Sequence, residues 1–369
     1  MSQRPEGYRI PLFRIRADEE VRRAIEKVLG SGRYVLGEET EAFEREFASY
    51  IGVRRAVATS SGTSALFLIL KALGIGPGDE VVVPAFTFIA SVTPVLMVGA
   101  RPRFVDVDYE TMTLDPEAVR RAVGERTKAI IAVHLFGHPA DMSPILEVAE
   151  ERGIYVIEDA AEAHGAKYRG RRVGSIGHAA FFSFYPTKNV TVLGDGGMVA
   201  TNDEELAERV ALLRHHGQVA RDDYRMLGYN MKMSEIHAAI GRVELRRLDG
   251  RNEHRRRLAR IYGEEIGDLL EIPVEKPWAY HVYHIYQVKL EERDRLRGYL
   301  AERGIETGVY YSRPVNVHGA IPPEYRGLRF PVAEELTRRV LALPMSHNHT
   351  EEEIAEVCSE IKRFFGVRG

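Results

Sequence analysis

The chain has 369 residues, 44% of them apolar, enough to bury a sizeable core in a large α/β unit with a smaller companion. Its 51 Lys and Arg stand against 54 Asp and Glu, a net charge of −3 with the signs interleaved, which excludes the basic footprint of a nucleic-acid binder. Cys358 is the single cysteine, which excludes a disulfide framework or cysteine zinc site within the chain, and neither "MSQRPEGYRIPLFRI" nor "SALFLIL" has the apolar length of a signal peptide or membrane span; the expectation is a cytoplasmic protein with no membrane partner.

From Asp18, the residues Val21, Ala24, Ile25 and Val28 recur at i, i+3, i+4 and i+7 and predict an amphipathic helix. Short β-branched runs follow: "RAVA" around Val57, "EVVVP" at Glu80–Pro84, "RFVDV" around Phe104, "AIIAV" at Ala129–Val133 and "IYVIEDA" at Ile154–Ala160. Helical stretches such as "SPILEVAEERG" separate most of them. This alternation predicts parallel βαβ units with helices on both faces of a sheet.

In "TNDEELAERVALL", Asn202 stands three residues before Glu205 and predicts a capped helix start, with Leu206, Val210 and Leu213 as the buried stripe. Another helix is expected from Ser234. It leads into "DGRNEHRRRLARIY", read as a solvated helical face joining two domains. Beyond it, "HIYQVKL" reads as a strand, "RDRLRGYLAERG" as a helix, and "TEEEIAEVCSEIKRFF" as a closing helix opened by a capping box of Thr350 and Glu353. The expected organisation is a large α/β domain over residues 1–248 and a small α+β domain over 249–369.

The stretch "SFYPTKNVTVLGDGGM" sets Lys188 among glycines, hydroxyls and aromatics. A lysine bonds to an aldehyde only where burial or a neighbour lets its amine lose a proton; by itself Lys188 reads as a surface residue, and only its surroundings point elsewhere. Asp159 closes the apolar strand "YVI", where it can hold a protonated ring nitrogen or cap a following helix. "TSSGTSAL" follows a strand and opens an apolar helical run, so N–H groups of Gly62, Thr63 and Ser64 would leave a helix N-terminus, a geometry that binds phosphate. In "PAFTFIAS", Phe86 and Phe88 follow a strand and offer either core packing or a ring to stack on a flat heterocycle. Phosphate turn, aromatic, strand-end acid and lysine, in that order, describe a pocket for pyridoxal phosphate.

Other chemistries are disfavoured. "GIGPGDE" at Gly74–Glu80 lies between a helix and a strand, the reverse of a dinucleotide fingerprint, and reads as a turn. "HVYH" puts His281 and His284 in an expected strand, as structural or substrate-contacting residues, and no H-E-x-x-H motif exists to bind a metal.

Over nearly its whole length the sequence resembles the DegT/StrS-type aminotransferases of nucleotide-linked keto sugars, on "SSGTSAL", "PAFTFIAS", "VHLFGHPADM", "VIEDAAEAHGA", "FFSFYPTKN", "GDGGMV" and "GYNMKMSEIHAAI" in order. The resemblance implies fold type I of the pyridoxal phosphate enzymes: a large domain with a mostly parallel mixed sheet between helices, and a small C-terminal α+β domain. It implies that Lys188 forms the Schiff base with the cofactor and moves protons, Asp159 pairs with the pyridine nitrogen, and Phe88 stacks on the ring. Gly62, Thr63, Ser64 and Ser183 would hold the phosphate, with Asn230 reaching the phosphate of a neighbouring subunit in a homodimer with shared active sites. The amine would pass from L-glutamate, leaving 2-oxoglutarate, to a nucleotide-linked keto sugar. Glu162 stands where many members carry Gln or His beside the cofactor's 3-hydroxyl, and an ionised Glu can only accept there. Glutamate occurs in some relatives that aminate C4, whereas "GDGG" resembles those that aminate C3. Tyr311 and His318 match a segment near the substrate. A cyclitol aminotransferase and a non-catalytic regulatory protein on the same fold are the alternatives; a histidine in place of Lys188 would have marked a sugar dehydratase.

Overall fold

Seven strands build the central sheet: β1 (Arg55–Thr59), β2 (Glu80–Pro84), β3 (Arg101–Val105), β4 (Thr127–Val133), β5 (Tyr155–Asp159), β6 (Ala179–Ser183) and β7 (Gly197–Thr201). In the computed structural model, which describes residues 7–367, they lie in the order β1-β7-β6-β5-β4-β2-β3. Residues 1–6 and 368–369, the outer ends of the two expected domains, lie outside the described residues. Every pairing is parallel except those of β7, which runs antiparallel to β1 and β6.

The continuous apolar runs are explained by burial on both faces. Val81, Val83, Ile131 and Ile157 join the core on one side, while Val82, Ile130 and Val156 join that on the other, as the two-residue repeat of a strand requires. β6 ("AAFFS") and β7 ("GMVAT") are not among the runs picked out by sequence. Their Gly and Ala have low strand propensity, and insertion between β1 and β5 holds them in place.

Two helices, α1 (Glu19–Ser31) and α2 (Glu38–Ile51), pack against the helix Glu235–Arg246. Both helices begin where expected, and the structure adds their caps: Asp18 accepts from Val21 N–H, and Ser234 from His237 N–H. The helix Glu204–Arg214 departs from expectation by one residue. Its cap is Asp203, which accepts from Leu206 N–H at 3.0 Å, while Asn202 instead accepts from the N–H of Arg54 at 3.1 Å across the sheet edge.

The arginine-rich helix spans Leu248–Ile266 and corrects the solvated-face reading. Asn252, Arg255, Leu258 and Tyr262 are buried, and Arg255, only 1% exposed, donates to the carbonyls of Tyr283, His284 and Met345. Three fixed carbonyl dipoles are what a guanidinium fork needs to be tolerated there. His281 to His284 form no strand; the short strand Ala279–Tyr280 ends before them.

Further on, β8 (Tyr286–Lys289) pairs antiparallel with β9 (Val340–Leu343), and helices Arg293–Glu302 and Glu351–Phe364 enclose a core of Tyr286, Val288, Leu296, Leu341 and Ile354. The expected Thr350–Glu353 capping box is present in both directions. Ile10 also enters this core: its N–H donates to the carbonyl of Gly304, and its own carbonyl accepts from Glu306 N–H. The N-terminal segment is thereby tied to the C-terminal unit. Among the described residues no helix is long and apolar enough to cross a membrane, and no group of three His, Cys, Asp or Glu is placed to hold a metal.

Candidate active site

β5, β6 and β1 bring three groups to the same end of the sheet: Asp159 and Ser183 at their last residues, and the turn into the helix α3 (Gly62–Ala72) after Thr59. The carboxyl end of parallel strands is where open α/β sheets bind ligands. Glu158 and Asp159 point to opposite faces. Glu158 turns away and accepts from the N–H groups of Gly174, Ile176 and Gly177, each at 2.7 Å, and from His134 Nε2 at 3.0 Å. Asp159 faces the site.

Asp159 Oδ2 accepts from the Ser91 hydroxyl at 2.6 Å, and Oδ1 from the N–H of Ala161 at 3.1 Å. A turn, not a helix, follows it, so the capping alternative does not apply. Burial pushes its carboxyl up to about 6, since two neutral donors and the more remote Lys188 only partly offset the loss of water. It is a buried acid short of a cation.

At α3 the cap is Ser61, whose Oγ accepts from Ser64 N–H while Ser64 Oγ accepts from Ser61 N–H. Ser64 therefore spends its N–H on the cap. Gly62 and Thr63 N–H, with no intrahelical acceptor, are left at the positive end of the dipole. A Cβ on Gly62 would lie 2.9 Å from Ser183 Cβ, and one on Gly197 only 2.3 Å from the Ser61 carbonyl group, so β6 and β7 approach this turn as closely as they do because both residues are glycine.

Lys188 N–H bonds the carbonyl of Tyr185 in a turn after β6, and its Nζ donates to Glu162 Oε1 at 3.0 Å. The two side chains are only 14% and 12% exposed. Glu162 Oε2 accepts from Phe136 N–H at 2.9 Å. Tyr311 lies with its ring 5.8 Å from Phe86, 6.2 Å from Phe88 and 6.3 Å from Phe136, and burial, then Glu162 and Asp159, hold its phenol well above the usual range. Phe86 is core, whereas Phe88 is 56% exposed and free to stack on a ligand.

Thus Lys188, Asp159, Glu162 and Tyr311 gather in one place, with Gly62 against Ser183. Asn230 is exposed, and His318 is half-buried beyond the short turn Val315–Val317; among the described residues neither side chain bonds to this cluster. Sequence reasoning missed Ser91, although it closes the quoted "PAFTFIAS", and it missed Asn189, beside Lys188. Both are buried polar residues whose partners lie far along the chain.

Residues 16–362 match the family described as DegT/DnrJ/EryC1/StrS aminotransferases. The chain belongs to that family. The dTDP-3-amino-3,4,6-trideoxy-alpha-D-glucose transaminase of Streptomyces venezuelae is 43% identical, with 99% of this chain and 98% of that one aligned. A dTDP-3-amino-3,6-dideoxy-alpha-D-galactopyranose transaminase of Aneurinibacillus thermoaerophilus is 41% identical, covering 95% and 96%, and a protein named pleiotropic regulatory protein from Geobacillus stearothermophilus is 41% identical, covering 94% of each. Among solved structures, S. venezuelae DesV in complex with a ketimine intermediate superposes with a TM-score of 0.91 at 43% identity, over 95% of each chain. A putative sugar aminotransferase from Streptococcus pneumoniae in its PLP form gives 0.91 at 27% identity, over 96% of this chain and 98% of that one.

The fold type I architecture and the class of pyridoxal phosphate-dependent aminotransferase follow from membership. The residues present fit that cofactor. Free N–H donors at the start of α3 beside Ser183 suit a phosphate, and Asp159 lacks the cation that a protonated ring nitrogen would supply.

Proposed function

We propose that this aminotransferase moves nitrogen from L-glutamate to a keto group of a nucleotide-linked sugar, as a cytoplasmic homodimer with shared active sites. The observation that carries the reading is the Lys188 amine held at 3.0 Å from Glu162, at the strand ends that also present Asp159 and the α3 turn. When bound, pyridoxal phosphate supplies an aldehyde that takes up the amine and a ring that withdraws electrons.

Lys188 holds that aldehyde, Asp159 the ring nitrogen, Phe88 the ring face, and Gly62, Thr63 and Ser183 the phosphate, with Ser64 contributing by fixing the turn. Lys188 Nζ is the acid and base: it removes the proton from Cα of glutamate and delivers one to the sugar carbon that receives nitrogen. Glutamate leaves as 2-oxoglutarate. Asn230, exposed within its own chain, reaches the phosphate in the partner's site, and Tyr311 and His318 face the sugar. Residues 1–248 and 249–369 are the proposed large and small domains.

The sugar carbon is proposed to be C3, because the names of two relatives at 41–43% identity place the amine there. A regulatory role has one point in its favour, the name of the Geobacillus relative. Lys188 with Asp159 weighs against it, since binding alone needs no proton-moving amine. The test is borohydride reduction with peptide mapping, together with release of 2-oxoglutarate from glutamate in the presence of 3-keto and 4-keto nucleotide sugars. The expected outcome is a pyridoxyl group on Lys188, turnover with the 3-keto substrate, and at least about 10⁴-fold loss in Lys188→Ala. Reduction that leaves Lys188 unmodified would exclude the reading.

A further inference from the structure

Thr87, Ser91 and Asp159 form a buried line of oxygen atoms that runs from the site into the segment after β2. Asp159 Oδ2 lies 2.6 Å from Ser91 Oγ, which lies 3.0 Å from Thr87 Oγ1. The contact with Asp159 fixes the order of the hydrogens. A carboxylate only accepts, so the single hydrogen of Ser91 points to Oδ2, and the hydrogen between the two hydroxyls then comes from Thr87. The line runs from Thr87 through Ser91 to Asp159, each donor polarising the next, and it ends on a charge.

Ser91 is itself held in place. Its N–H donates to the carbonyl of Phe88 at 3.1 Å, in the short 3-10 turn Ile89–Ser91. Residues 87–91 therefore carry both the exposed ring of Phe88 and the donor to Asp159. On the other carboxylate oxygen, Oδ1 accepts from Ala161 N–H at 3.1 Å, so each oxygen has one donor and keeps lone-pair space for another.

From this geometry we infer that Ser91, backed by Thr87, is a positioning residue: it holds the Asp159 carboxylate in its ionised form and turned to the site, where a protonated ring nitrogen would lie. Burial raises Asp159 to about 6, and Ser91 is the first of the groups that oppose the rise. The other groups facing Asp159 are Ala161 N–H and Lys188, which favour the charge, Glu162, which opposes it, and the phenol of Tyr311. The inference rests on the reading of Asp159 as the partner of the ring nitrogen.

The test unfolds full-length, cofactor-free chains in urea between about pH 4 and 9, each with and without Asp159→Asn, so that the difference gives the contribution of Asp159. In the wild type this contribution should fall from about pH 4 and level off near the folded value of about 6, since the folded chain keeps a proton that the unfolded chain has released. In Ser91→Ala the fall should continue for at least about one further pH unit, a further tenfold loss in the folding equilibrium constant. Thr87→Val keeps the shape and removes the hydrogen behind Ser91. It should extend the fall by at least about half a unit, and it carries the test if Ser91→Ala does not fold. A purely packing role would cost the same at every pH. A levelling point unmoved in both variants, or a cost of Ser91→Ala that varies with pH just as much beside Asp159→Asn, would overturn the inference. Turnover of Asp159→Asn in the holoenzyme reports separately on the ring-nitrogen reading.

Discussion

Glu158 and Asp159 are adjacent carboxylates with opposite fates, set by the face each occupies. For Glu158, burial opposes the charge, yet His134 and three N–H donors hold it below the usual range. Asp159 has only Ser91 and one N–H, and burial wins, raising it to about 6. Between about pH 4 and 6 the folded chain then keeps a proton that the unfolded chain has released, so this group makes the fold less stable as pH rises through that window, by about 3 kcal/mol in full. In cofactor-free protein, the stability of Asp159→Asn relative to wild type should therefore move in favour of the variant by up to about 3 kcal/mol from pH 4 to 7, measured by urea denaturation at each pH. A difference that stays flat over this range would show that Asp159 is ionised throughout. The same variant should lose at least about 100-fold in turnover, because an amide does not hold a protonated ring nitrogen.

At the level of elements, α2 starts at Gly37 with no side-chain cap of its own. Glu235 supplies it from another helix: its carboxylate accepts from the N–H groups of Gly37, Glu39 and Thr40 at 2.7, 2.9 and 3.1 Å, and from the Thr40 hydroxyl. A Cβ on residue 37 would sit 2.6 Å from that carboxylate, which is why the position is glycine. Glu235→Ala should destabilise the protein by about 2–4 kcal/mol in urea denaturation, as it orphans several buried donors. A loss below about 0.5 kcal/mol would show that water replaces the carboxylate. Burial opposes the Glu235 charge, but these donors hold it below the ordinary value; its stabilisation is full above the unfolded value near about pH 4 and fades as pH falls through the folded one. The cap written locally at Thr350 was legible, and that at Asp203 was legible to within one residue. This one was not, because cap and helix are separated by 198 positions. In the same way "EVVVP" announced β2 to the residue, while β6 and β7 were silent, being strands by location more than by composition.

For the whole molecule, the single chain leaves several large apolar side chains in water: Leu227 at 84% exposure, Tyr224 and Met97, and Phe88 and Tyr185 beside the site. Apolar exposure near a catalytic pocket suits a second copy of the chain covering it. The expected consequence is a melting temperature that rises with protein concentration. Leu227→Asp should run as a monomer by light scattering and lose at least about tenfold in turnover, with an unchanged far-ultraviolet spectrum. A variant with the same mass in solution as the wild type would exclude Leu227 from a contact between copies. Sequence by itself determined the order of βαβ units, the glycine turn before α3, the strand-end acid and the lysine, because these depend on short-range periodicity and turn chemistry. Only the tertiary structure decided that Ser91 meets Asp159 across 68 positions, that Asn189 meets His284 across 95, and that Arg255 is inside. Pairing of buried polar groups is settled by which distant atoms arrive within 3 Å, and no local pattern encodes that distance.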